Sequence, residues 1–516
     1  MSIRSMWRAR IVALLLTSGI SLSGCASFSP DSGMSVVSDV ASQTIGKEVA
    51  FVRSADDAER AGGTVRRLLG RPLTVDAAVQ VALLGNKGLQ AAYNELALAE
   101  TDLVQQSLPP NPTFSISRIS GNGASEIERQ VVGDILALAT LPFRSEIARE
   151  RFRQAQLRAA LETLRLAAEV RRTYFRSVAA NEMVVLLTDA KSTAESTAQL
   201  AKKLGETGSL NKLDQAREQV FYAETTADLA SARQEATSAR ERLTRLMGLW
   251  GDGLDFRLPD RLPALPRRPR ALPNIEVDAV GHRIDLQIAR MELAALEKSL
   301  GLTQATRFVT LLDVAGIAKR TTDPEAPPFR ERGFDVQFQI PIFDGGEVRV
   351  RQAVESYNQA FNLLTEKAVN VRSEARDAYR VYRSAHDIAS HYQREILPLR
   401  QIITEEMQLR FSSMQIDVFA LLTEARQRLA SLRAAIDARR AFWLYVYEAT
   451  APNRRVLLYV GMTGDTGSVK VVRAPAGTSP STYGGRTGIN GSKPPAVGRE
   501  AFSTWGAPGA RLTATP

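Results

Sequence analysis

Residues 89–100 read LQAAYNELALAE, and residues 286–297 read LQIARMELAALE. Leu89, Gln90, Ala92, Glu95, Leu96 and Ala97 recur as Leu286, Gln287, Ala289, Glu292, Leu293 and Ala294, at a constant offset of 197. Further on, Leu141-Pro142-Phe143 answers Ile340-Pro341-Ile342 at an offset of 199. Two matches so far apart, at nearly one offset, predict a duplicated unit, and a repeat constrains the fold more than any single local pattern.

Each copy carries the same order of elements. A helix is expected over residues 75–106 and again over 275–303. Two strand-like runs follow, 112–120 with 130–143 in the first copy and 308–318 with 333–343 in the second. A very long helical run comes next. It turns near Gly205 to Gly208 in copy one and near Ser412 to Gln415 in copy two, then returns as a helix to the neighbourhood of Trp250 and Ala449. Leu229, Ala232, Ala236, Ala239, Leu243 and Leu246 step by threes and fours, the seam spacing of a coiled coil. A run of about 60 residues from Arg144 extends roughly 90 Å. Pro398 is expected to kink or break the equivalent run.

The strands discriminate between architectures. In Phe334-Asp335-Val336-Gln337-Phe338-Gln339-Ile340, apolar and polar residues alternate strictly, and Phe114 and Ile116 alternate with Thr113, Ser115 and Ser117. Lengths near ten residues suit tilted strands with lipid on one side and water on the other. An amphipathic sheet on a soluble core alternates equally well.

The one cysteine, Cys25, closes Leu22-Ser23-Gly24-Cys25. It follows Arg4, Arg8, Arg10 and an apolar stretch from Ile11 to Ile20, the layout of a secretory signal. The tetrapeptide resembles a bacterial lipobox, which implies a lipidated (palmitate-bearing) Cys25 at a new N-terminus. Ala26 rather than Asp follows it, which favours the outer membrane as address. The expected division is a signal peptide over 1–24, a lipid-anchored extension over 25–72 and a first repeat over 73–257. A Pro/Arg-rich linker over 258–273, a second repeat over 274–452 and a disordered Gly/Pro/Ser-rich tail over 453–516 complete it. The extension, with little periodicity, is expected to wrap the body or lead to the lipid.

Composition excludes several classes. The formal charge is +10, of which the signal segment carries three and the tail six, leaving the body near neutral. That distribution argues against a nucleic-acid face. One Cys permits no internal disulfide, and His282, His386 and His391 have no metal-ligand spacing and read as solvated surface residues. No cofactor is implied. No nucleophile–base set, phosphate-cradling loop or zinc spacing marks an enzyme. Gly121-Asn122-Gly123 reads as a hairpin loop, and Glu405-Glu406 as a solvated helical face. No window after residue 25 can form a transmembrane helix, so any crossing must use strands.

The duplicated order resembles the TolC-like outer-membrane efflux proteins, in their lipoprotein branch. So do Ile340-Pro341-Ile342-Phe343-Asp344-Gly345-Gly346 at a strand-to-helix junction, LTRLMGLWG over 243–251 and Arg283-Ile284-Asp285-Leu286. The resemblance covers about residues 73–450. It implies a mostly α protein with a membrane β-barrel: a homotrimer with four strands per protomer, a twelve-stranded barrel continued by a long α-helical barrel into the periplasm. Its partners would be a periplasmic adaptor, an inner-membrane pump and outer-membrane lipid, and its activity passive conduction of drugs, metal cations or other toxins. Asp335, Gln337 and Gln339 would line the lumen. The hairpin tips, residues 205–214 and 411–424, would converge on the threefold axis, with Asp214, Asp417 and Glu424 as gate candidates. For Asp214 and Asp417 the competing reading is a helix-start acid. Copy two lacks the turn glycine, with Ser412-Ser413-Met414-Gln415 in its place. The rival architecture is a periplasmic coiled-coil structural or adaptor lipoprotein without a pore; the duplicated strand pairs count against it.

Overall fold

The computed structural model describes residues 27–449 apart from 122–123 and 324–325. Cys25, the signal segment, the expected tail and the centre of the Gly121-Asn122-Gly123 loop therefore lie outside the described residues. Two helices, α1 (Met34–Ile45) and α2 (Ala55–Leu69), open the described chain. The first copy then runs α3 (Val75–Gly85), α4 (Lys87–Ser107), β1 (Thr113–Gly121), β2 (Ala124–Asp134), α5 (Ile135–Ala139), α6 (Leu141–Glu206) and α7 (Lys212–Met247). The second runs α8 (Ile275–His282), α9 (Ile284–Ala305), β3 (Leu311–Asp323), β4 (Ala326–Gln339), α10 (Glu347–His391), α11 (Leu397–Ser412) and α12 (Val418–Ala449). Among the described residues, no helix is long and apolar enough to cross a membrane.

Each helix expected before the strands is in fact two. The chain turns extended at Asn86 and at Arg283, which are 197 apart, so the break is part of the repeat. Asn86 Oδ1 accepts from the Leu89 amide, capping α4, while Asn86 Nδ2 donates to the Leu246 carbonyl at 2.9 Å. Arg283 fills the same place by a different route, its buried guanidinium paired with Asp285 and Glu374. The LTRLMGLWG motif is explained by the same joint. Gly248 ends α7 at φ +68°, and a Cβ there would lie 2.5 Å from the Gly85 carbonyl oxygen.

The strands also begin and end elsewhere than expected. β2 starts at Ala124 rather than Gln130, and β4 starts at Ala326 rather than Gly333. Their first halves, ASEIER and APPFRER, are too charged to read as strand by hydropathy. Leu141-Pro142-Phe143 does not close a strand: Pro142 sits in the first turn of α6, where its missing N–H costs nothing. In copy two, β4 stops at Gln339, and Ile340 to Gly346 form the turn into α10.

Helix α6 has 66 residues, about 100 Å at about 1.5 Å per residue. It carries much of the main core, with Leu164, Val170, Phe175 and Val178 packed among Val79, Leu83, Leu96, Leu243 and Met247. Tyr93 and Tyr174 lie buried there with their hydroxyls satisfied, by Thr163 at 3.0 Å and by the Leu73 carbonyl at 2.8 Å. Burial pushes the Tyr93 hydroxyl up to about 12. The α7 seam faces inward, with Leu229, Ala239 and Leu243 buried. The extension is more ordered than its sequence suggests: Val37, Ala41 and Ile45 of α1 enter the main core.

At Pro398 the second long run changes its hydrogen bonding without ending. Residues Tyr392–Ile396 form one π turn, in which the Leu397 amide reaches back to the Tyr392 carbonyl, and α11 begins with Pro398 in its first turn. The expected linker is strapped down by side chains. Glu182 accepts from the Leu262 amide, Trp443 Nε1 donates to Pro263, the Tyr382 hydroxyl accepts from the Arg270 amide, and His386 Nε2 lies 3.1 Å from the Pro266 carbonyl. His386 is therefore not a surface residue. It is 5% exposed and packs edge-on against Phe442, so its role is to hold the linker. His282 and His391 are exposed.

At the junction after β4, Gly346 has φ +73°, and a Cβ on it would lie 2.3 Å from the Arg307 carbonyl oxygen. Arg307 Nε donates to Gly345, and Asp344 accepts from the Gly346 amide. Gly346→Ala is expected to lose about 2 kcal/mol or more, from a left-handed β-carbon plus the clash. At Met414, where a side chain already occupies φ +57°, Met414→Gly should gain up to about 1 kcal/mol. Denaturant midpoints of the detergent-solubilised protein check both signs.

Candidate functional site: a two-faced sheet and the hairpin tips

The strands form one antiparallel sheet in the order β1-β2-β3-β4, so β1 and β4 each have one neighbour and one open edge. Directly opposed residues share a face, and the register therefore assigns every side chain. Phe114 pairs with Val131, Val131 with Gly316 and Gly316 with Phe334. Val314 pairs with Val336, and Leu312 with Phe338. These residues define an apolar face open to the surroundings, with Phe334 at 81% exposure. Ile342 and Phe343 of the junction, Phe143 and Phe308 extend the exposed apolar surface below it.

The opposite face is mainly polar, with Ile119, Val132, Ile317 and Phe329 also on it. It holds Ser115, Ser117, Gln130, Glu126, Glu128, Asp313, Glu331, Asp335, Gln337 and Gln339, with Lys319 paired to Glu126 at 2.8 Å. On the inner strands, over residues 129–132 and 313–320, exposure alternates with the face, while β1 and the described side chains of β4 are exposed on both. Arg129, Val131, Val314, Gly316, Ala318 and Arg320 are exposed, whereas Gln130, Val132, Asp313, Ile317 and Lys319 between them are half-buried and Ala315 is buried. On those stretches the side chains of the polar face are the more crowded. Asp335, Gln337 and Gln339 stand together on this face, opposite Ala315, Asp313 and Leu311.

The hairpin turns superimpose in sequence at an offset of 206, from Gly208 to Met414. The amides of Thr207, Gly208 and Ser209 bond to Lys203, Gly205 and Leu204, and those of Ser413, Met414 and Gln415 bond to Leu409, Phe411 and Arg410. Met414 thus takes the left-handed place of the missing glycine, with its side chain in solvent. Asn211 caps α7 through the Asp214 amide, and Asp417, its counterpart, caps α12 through the Ala420 amide at 2.8 Å. Asp214 accepts from Asn211 Nδ2 and pairs with Arg217 at 2.9 Å. Within this chain both acids serve as helix-start groups, and Asp417 remains exposed.

Glu424 has a different setting. It is buried and paired with Arg400 at 2.9 Å. Its counterpart at the same offset is Glu218, which the sequence reading passed over; Glu218 is 3% exposed and paired with Arg426 at 2.8 Å. Arg426 also lies 4.5 Å from the centre of the Phe221 ring, joining α12 to α7. Glu218 Oε2 and Glu424 Oε1 are buried without a partner among the described residues. Laying the two turns under one another at Gly208 and Met414 would have revealed the pair. Glu405 and Glu406 are exposed on α11, where Gln401 and Arg410 partner them. Among the described residues, no three His, Cys, Asp or Glu side chains converge as a metal site.

A four-stranded, two-faced sheet with open edges, set beside two long helical hairpins, is the protomer fold of the TolC-like outer-membrane channels. The resemblance read from the sequence holds at the level of the fold. The solved structure of CusC, studied for folding and transmembrane channel formation, is similar with a TM-score of 0.61 at 20% identity, covering 75% of this chain and 92% of that one. The outer-membrane channel OprN is similar with a TM-score of 0.60 at 17% identity, covering 80% and 94%. In sequence, the cobalt-zinc-cadmium resistance protein CzcC of Cupriavidus metallidurans is 26% identical over 303 residues, spanning 56% of this chain and 68% of that protein. No family model matches the chain. The structural relatives are channel proteins, not enzymes.

Removing Arg400 leaves the buried Glu424 carboxylate uncompensated. Arg400→Ala is expected to cost about 1.5–3 kcal/mol, and a double-mutant cycle with Glu424→Gln should recover part of it. No coupling in that cycle would show that the pair is incidental.

Proposed function

We propose that this protein is the outer-membrane channel of a tripartite efflux system. It conducts solutes passively to the exterior, and its cargo is metal cations. The observation that carries the reading is the sheet: apolar outside, polar inside, with an unpaired backbone edge on each side. In hydrocarbon each unpaired N–H or C=O costs several kcal/mol, so such a sheet is stable in a membrane only when copies close it. Three protomers supply twelve strands, wide enough for a water-filled pore. The long hairpins then continue the duct into the periplasm, where their tips meet the adaptor that links it to an inner-membrane pump.

Asp335, Gln337 and Gln339 line the lumen in this reading. The carboxylates there, among them Glu126, Glu128, Asp134, Asp313, Glu331 and Asp335, outnumber the one lysine, Lys319, so three copies give a strongly negative wall that concentrates cations. The CzcC likeness supports a cation cargo over organic drugs. Asp417 is the gate acid best placed to form a ring at the tips, since Asp214 is held by Asn211 and Arg217 and Glu424 by Arg400. Lipidation of Cys25 adds an anchor to a trimer that the strands already hold; exported Cys25→Ser protein should still insert.

The purified protein should run as a heat-resistant trimer and conduct in planar bilayers with cation over anion selectivity. Glu331→Gln with Asp335→Asn should move the reversal potential toward zero without abolishing conductance. A soluble monomer that never conducts would establish the poreless adaptor instead.

A further inference from the structure

The arginines and the carboxylates of the sheet lie on opposite faces. Arg118, Arg129, Arg320, Arg330 and Arg332 all lie on the apolar face, and no carboxylate in the paired register shares it. All five are exposed, and none is within ion-pair distance of a carboxylate among the described residues. Arg320 and Arg330 are direct cross-strand partners. Like charges placed opposite each other on neighbouring strands repel, and arginines facing lipid are costly at the midplane and tolerated near the interface. An external anion seated between them would offset that repulsion.

Their height agrees. From Gln339 at the helical junction to Arg330 is nine residues, about 30 Å along a strand at about 3.4 Å each. A tilt of about 45° reduces this to roughly 21 Å, near the top of an apolar band about 25 Å tall. Phe338, Val336 and Phe334 occupy the same face below, so lipid tails meet aromatic and aliphatic side chains and the arginines meet the headgroups. Guanidinium forks match phosphate oxygens in bidentate fashion, and lysine does not.

Resting on the membrane-channel reading, we propose that this arginine band is a binding site for the phosphate groups of a phosphorylated glycolipid in the outer leaflet, gripped chiefly between Arg320, Arg330 and Arg332. Three such bands would ring the trimer and fix its depth in the membrane.

The test uses the full-length protein in phosphatidylcholine nanodiscs doped with diphosphorylated lipid A, with chemically dephosphorylated lipid A, or with phosphatidylglycerol, with lipid retention read by native mass spectrometry. The wild type should retain the diphosphorylated lipid at least tenfold over either comparator. Arg320→Gln/Arg330→Gln/Arg332→Gln should lose that preference while still forming a conducting trimer, and the triple lysine variant should recover it only partly. Equal retention of the dephosphorylated lipid, of phosphatidylglycerol, or by the triple glutamine variant overturns the proposal while leaving the channel intact. If the wild type itself neither trimerises nor conducts, the channel reading fails and the lipid site fails with it.

Discussion

The structure depends on one constraint, the backbone hydrogen bonds of β1 and β4 that the chain cannot satisfy by itself. Every inner strand edge in the sheet is paired, and two outer edges are left open. In water such edges invite aggregation; in hydrocarbon they are prohibitive. In the channel reading proposed above, copies of the same protomer supply the missing partners. In that reading the duplication serves the same end, because each unit supplies two strands and one long hairpin at the same relative positions.

The chemistry of the wall follows from the period of a strand. Alternation places Phe114, Val131, Val314, Phe334, Val336 and Phe338 on one face and the carboxylates and amides on the other, and the register carries that division across all four strands. The helices obey a different economy. Their small seam residues bring rods together closely, and ion pairs such as Arg426 with Glu218 tie the two hairpins near their tips. At the joints, glycines with left-handed backbone or no room for a side chain mark where rod meets rod and where strand meets rod.

The repeat, the junction over residues 340–346 and both hairpin turns were legible in the sequence: the junction and the first turn from glycines with a backbone reason, the second turn from its place in the repeat, whereas Leu141-Pro142-Phe143 starts a helix and does not close a strand. What was hidden has physical causes. The starts of β2 and β4 carry charge on both faces, so hydropathy reads them as loop, although Glu126 and Arg129 alternate sides as a strand requires. The break at Asn86 had a local signal in Gly85 and Gly88, which the apolar periodicity on both sides outweighed. His386 passed as a surface residue because its partners, the Pro266 carbonyl and Phe442, are 120 and 56 positions away. Glu218 was missed because the offset between copies grows from 197 at the first helices to 206 at the tips. The longer strands of copy two contribute to that growth, at 13 and 14 residues against 9 and 11.

The central claim is that β1 of one protomer pairs with β4 of the next until three copies close. Disulfide trapping measures this directly, in a Cys25→Ser background with single cysteines at Ser115 or Ser117 on β1 combined with Asp335 or Gln337 on β4. The expected result is a covalent ladder of monomer, dimer and trimer that stops at three, formed by some of these combinations and only in membranes. Absence of any cross-link across the whole panel, or a ladder that continues past three, would contradict it.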